Sequence, residues 1–74
     1  MPIHADDLKN RFVYHPPSPA GATKHVNLTL HFLALAQLVV ETVPEGREQS
    51  LVITKLEEAK FWASAGVARN PETR

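Results

Sequence analysis

The sequence predicts an all-α fold, an antiparallel two-helix hairpin behind a short N-terminal segment. Two runs free of helix breakers and spaced apolar at helical period predict it, and so does the short link "VPEGRE" that joins them. A connection this short leaves its flanking helices as antiparallel neighbours. The 74 residues read as one hairpin domain, with an N-terminal segment and proline-rich connector over 1–19, a first long helix over 20–43 and a second over 45–70.

The N-terminal segment sets Asp6 and Asp7 ahead of Leu8, Phe12 and Val13, enough for one or two turns of helix. "HPPSPAG" then holds three of the six prolines, which forbid any helix from running through and make a stiff connector. Ser18 followed by Pro19 fits an N-cap with proline at the first helical position, and Thr23 is an equally good cap further on. From there the chain is unbroken for about five or six turns. On a wheel of ~100° per residue, Leu28, Phe32, Leu35, Ala36, Val39 and Val43 form one stripe, and Val26, Leu33 and Val40 a second beside it.

Pro44 can begin a helix but not continue one, and Gly46 tolerates unusual backbone angles, so the chain reverses there. The second helix carries a stripe of Val52, Leu56, Ala59, Ala63 and Val67, while Leu51, Trp62 and Ala65 lie to one side with Lys55, Glu58 and Arg69. Asn70-Pro71 stops it.

A hairpin has one internal seam, and both helices carry more apolar surface than that seam covers. The chain is also near the size at which one core barely suffices, and without cysteine it has neither disulfides nor thiolate-bound zinc. Association with copies of itself is therefore expected. The alternative is that residues 1–15 fold back as a covering third helix, but they offer only Ile3, Leu8, Phe12, Val13 and Tyr14 for that.

Eight basic and eight acidic residues cancel, which argues against a partner such as polymeric DNA or RNA. No apolar run approaches the ~20 residues of a membrane span, and "MPIHADDLKN" lacks the apolar core of a signal peptide. The chain is expected to stay in the compartment that makes it, away from membranes.

Four histidines raise the question of a metal, but His25 and His31 are six apart, off the helical spacing that sets ligands side by side, and no metal site is expected. No enzyme is expected either, and no cofactor. Ser18, Ser50 and Ser64 sit in no nucleophile motif, and Glu57 and Glu58, being adjacent, point in different directions with Lys60 and Lys55 within ion-pair reach.

What remains suits binding. "RFVYHPP" gathers Arg11, Phe12, Tyr14 and His15 against a rigid proline corner, and Lys24 and His25 follow at the opening of the first long helix. Aromatic rings stack on nucleobases and cationic groups hold phosphates, a combination fitted to a small nucleotide. Each residue also has a plainer use, the aromatics as packing and Arg11 or Arg69 as surface ion pairs.

"RFVYHPP", a helix, and then "GREQSLVITKLEEAKFWASAGVARN" together resemble the hairpin domain of phage sponge proteins that counter the CBASS and Thoeris immune systems. The resemblance spans residues 10–70 and is most specific over 51–70, through Ile53, Thr54, Lys55, Leu56, Glu57, Glu58, Ala59, Trp62, Ala63, Ala68, Arg69 and Asn70. It implies a helical hairpin assembled as a homo-hexamer in the host cytoplasm. Such a sponge sequesters cyclic nucleotide second messengers without cleaving them, cyclic di- and trinucleotides first and cyclic ADP-ribose isomers second.

Carried over by residue, the resemblance assigns Tyr14 or Phe12 to base stacking, Arg11 and Arg69 to phosphate, and His15, Lys24 and Asn70 to the same pocket. Trp62 and Phe61 fall to packing. The chain departs from the pattern at His25, where relatives often have tyrosine, at Thr29, where a basic residue is common, and at Ser64, where asparagine is common. Lys24 stands for arginine, keeping the charge without the planar fork. A second function class stays open, a small oligomeric adaptor whose apolar faces bind a protein partner.

Overall fold

The computed structural model describes residues 4–74, and among them it contains three helices and no strand. They are α1 (Ala5–Phe12), α2 (Pro19–Thr42) and α3 (Arg47–Arg69). The two long helices begin and end within two residues of the expected limits, α3 starting at Arg47 rather than residue 45. Ile3 lies outside the described residues.

Local chemistry accounts for each boundary. In α1, Asp6 and Asp7 occupy the first turn and Lys9 and Arg11 the last, an order that complements the helix dipole. For α2 the chain uses Ser18 as its cap: the hydroxyl accepts from the Gly21 N–H at 3.1 Å and Pro19 stands at the first helical position. The reversal falls at Gly46, with φ 158° and ψ −167°, a region essentially reserved for glycine. Val43 closes α2 by donating its N–H to Val39 at 2.8 Å.

The seam joins α2 to α3. On α2 it is made by the half-buried Leu28, Phe32, Ala36, Val39 and Val43, as the first stripe predicts, while Leu35 turns outward. On α3 the half-buried series is Gln49, Ile53, Leu56, Lys60, Ala63 and Val67, in alternating steps of four and three. Ile53 and Lys60 therefore stand where the wheel favoured Val52 and Ala59. The reason is polar: Gln49 Nε2 donates to the carbonyl oxygens of Val43 at 2.9 Å and Val40 at 3.3 Å, and this sets the rotation of α3 at its first turn. Lys60 fits the seam by laying its methylenes along it.

The molecule measures 46 × 33 × 15 Å, so its thin dimension is close to one helix diameter. Helices lie side by side in one layer with nothing above or below. Among the described residues no apolar side chain is fully buried. The second stripe, Val26, Leu33 and Val40, is exposed, and so are Phe61 and Trp62, the latter at 64%. These two rings, expected to pack, are left mostly exposed by their own chain. Nor does α1 cover them: Leu8 and Phe12 are themselves exposed, Phe12 at 82%.

The accessible surface is 5955 Å², about 1,400 Å² above the ~4,500 Å² that scaling gives a compact monomer of 8.2 kDa. No helix among the described residues is long and apolar enough to cross a membrane.

Candidate ligand cleft

At the open end of the hairpin, the last turns of α3 lie beside the beginning of α2 and the connector from α1. Ser64, Ala65 and Ala68 present small side chains there, which leave room between α3 and the connector. The resulting cleft is about 480 Å³, within the range that small ligands occupy. Arg11, Tyr14 and His15 line one side and Arg69 the other, with His25 contributed by α2. Four of the seven residues singled out from sequence thus converge, although they come from positions more than fifty apart.

The remaining three do not line it. Phe12 points to solvent on the far side of α1's last turn. Lys24 faces a separate depression of about 330 Å³ with Asn27, Leu28, His31 and Val67, and its ammonium donates to the Thr73 carbonyl at 3.4 Å. Asn70 ends α3, and its side-chain oxygen accepts from the Glu72 N–H at 2.9 Å, which folds the following residues into a turn.

His15 is held firmly. Its Nε2 lies 2.7 Å from the Asn10 carbonyl and its Nδ1 lies 3.1 Å from the Arg74 guanidinium. A carbonyl only accepts and a guanidinium only donates, so both bonds form together when the ring is neutral with its proton on Nε2. His31 is differently occupied, with Nδ1 2.7 Å from the Asn27 carbonyl one turn back.

The charges on the two walls differ in their freedom. Arg11 pairs with Asp7 at 3.4 Å across one turn of α1, both side chains being about half exposed, and such a pair is weak enough for a stronger anion to replace. Arg69 has no ion pair among the described residues. It also borders a neighbouring depression with His4, Asp6 and Asp7, so the acidic first turn of α1 flanks the cleft rather than filling it.

Sequence reasoning did not place Asn10 or Ser64 in a site, yet both line the cleft, together with His25, which the sequence grouped with Lys24 at the opening of α2. A signal for Ser64 existed. Ser64, like His25, is a position where this chain departs from the pattern that the resemblance implies, and both face the same space.

The described residues form a thin helical hairpin with an open cleft at one end, bordered by two arginines. The chain belongs to the family described as Acb2/Tad1, hairpin domain, the anti-CBASS and anti-Thoeris sponges, which matches residues 4–68. No curated protein and no solved structure matches it. Membership points to cyclic nucleotide capture by a binding sponge rather than an enzyme.

Proposed function

We propose that this protein captures signalling cyclic nucleotides of host immunity in the cytoplasm and withholds them without cleavage. Cyclic di- and trinucleotides are the preferred class, with cyclic ADP-ribose isomers second. The observation that carries the reading is the convergence of Arg11, Tyr14, His15 and Arg69 on one cleft within the family's hairpin. Tyr14 stacks on a base, and Arg11 and Arg69 meet phosphate oxygens, which a planar fork of donors suits.

The same reading has copies of the chain joined through their open faces, as a hexamer. Supporting it is the surplus surface: about 1,400 Å² is roughly what one to two standard interfaces take from a partner. Phe61, Trp62 and the Leu33 stripe are the seams, and neighbouring chains deepen the shallow cleft of each protomer.

Calorimetry with cyclic dinucleotides, cyclic trinucleotides and cyclic ADP-ribose isomers tests the proposal. Heat of binding to at least one of them is expected, followed by recovery of the ligand intact on heating the complex. Absence of heat across all three classes eliminates capture, and recovery of a hydrolysed product eliminates the sponge.

A further inference from the structure

Beyond Arg69 the chain does not trail away. Asn70 accepts the N–H groups of Thr73 and Arg74, each at 3.0 Å, and Thr73 donates its hydroxyl to the Val67 carbonyl at 2.8 Å, so residues 70–74 double back. They reach the start of α2. Ser18 Oγ donates to the Arg74 carbonyl at 2.7 Å, Lys24 to the Thr73 carbonyl at 3.4 Å, and the Arg74 guanidinium to His15 Nδ1 at 3.1 Å. Among the described residues, these three are the hydrogen bonds that tie the N-terminal third of the chain to its C-terminal end.

Gly21 completes the arrangement. It is the one buried residue described, and what buries it is the backbone of Arg74. A Cβ at this position would overlap the Arg74 carbonyl carbon, so the approach requires glycine although the helix would be served better by alanine. Residues 70–74 lie outside the span that the family model matches.

We propose that residues 70–74 are a clasp, and that Arg74 is a positioning residue for the ligand cleft. The connector carrying Tyr14 and His15 has no apolar anchor of its own: Val13 and Tyr14 are exposed, and α1 makes few contacts with the long helices. Arg74 supplies the missing restraint. By donating to Nδ1 while Asn10 accepts from Nε2, it holds the His15 ring in one tautomer and one orientation, and so sets the wall that bears Tyr14 and Arg11 opposite Arg69. The effect on affinity rests on the capture proposed above, whereas the clasp itself does not.

Two variants separate this from other roles. Arg74→Ala removes the donor, and Gly21→Ala pushes the clasp off α2 while leaving every charge in place. Both are studied in the full chain, with circular dichroism confirming unchanged helix content. In the native chain, nitrogen-15 spectra of His15 are expected to show a single neutral tautomer protonated on Nε2, and in both variants a mixture. Affinity for cyclic di-AMP or cyclic tri-AMP, whichever the native chain binds, should fall about three- to tenfold in each, the worth of one or two hydrogen bonds.

A Gly21→Ala chain with native His15 signals and native affinity overturns the clasp. Weaker binding in Arg74→Ala alone, with Gly21→Ala unaffected, means that Arg74 touches the ligand itself and overturns the positioning role. If the native chain binds neither nucleotide, the capture reading is at fault, and the His15 signals still decide the clasp.

Discussion

Gln49 Nε2 donates to the carbonyl oxygen of Val43 at 2.9 Å, joining the first turn of α3 to the end of α2 across the reversal. This one amide caps a helix whose last carbonyls have no partner of their own, and it also fixes which face of the next helix turns inward. Replacing Gln49 by alanine leaves two carbonyls to solvent. A loss of about 1–2 kcal/mol is expected, and urea titration followed by helix content measures it. An unchanged midpoint would mean that apolar contacts alone set the rotation of α3.

Gly46 sits at φ 158° and ψ −167°, where a side chain strains the backbone. Gly46→Ala should cost about 1–3 kcal/mol. Gly66, by contrast, lies in α3 with open space where a Cβ would go, and Gly66→Ala should raise stability by about 1 kcal/mol. The opposite signs make the pair a control for each other in thermal denaturation.

Arg69 and Phe12 are both prominent in the sequence, but only Arg69 borders the cleft. Arg69→Ala should weaken nucleotide capture by about tenfold or more, as loss of a hydrogen bond to a charged group does, with assembly intact. Phe12→Ala should bind as the native chain does. Titration calorimetry that found the reverse order would move the site to the outer side of α1.

Asp7 pairs with Arg11 at 3.4 Å, so under the proposed capture it competes with the nucleotide for that guanidinium. Asp7→Asn should therefore strengthen capture about two- to threefold, in keeping with a half-exposed ion pair. A small loss of α1 helix content should accompany it, because an acidic residue leaves the first turn. Measured at rising salt, the gain should shrink.

The exposed second stripe gives the sharpest test of assembly. Leu33→Asp and Trp62→Asp each place a charge at a mostly exposed position outside the half-buried seam, and helix content measured beside sedimentation checks that the hairpin is kept. Sedimentation should show smaller species for both. A Trp62→Asp chain that sediments like the native one would remove that face from the contacts between copies.

How far these features can be read from the residues depends on their range. Breakers and caps act locally, so Ser18-Pro19, Gly46 and Asn70-Pro71 disclosed the helix limits to within two residues. The rotation of α3 did not follow, because it is set by Gln49 reaching back six positions to a backbone atom, a bond that no apolar count registers. Arg11, Tyr14 and His15 were readable as a cluster because they are neighbours in sequence. Ser64 joins them only through the fold, His25 remains with them, and Lys24 leaves them because its helix turns it toward Thr73. Phe61 and Trp62 look like core residues to any reading of composition, and only a one-layer molecule leaves them outside.

A plate 15 Å thick shields little of its own main chain from water. In the lone chain, amide protons of α2 and α3 should trade with deuterium within a short time of dilution, since nearly every helical bond lies close to solvent. Slow exchange along one flank would then draw the footprint of a neighbour, residue by residue, without any need to crystallise the pair.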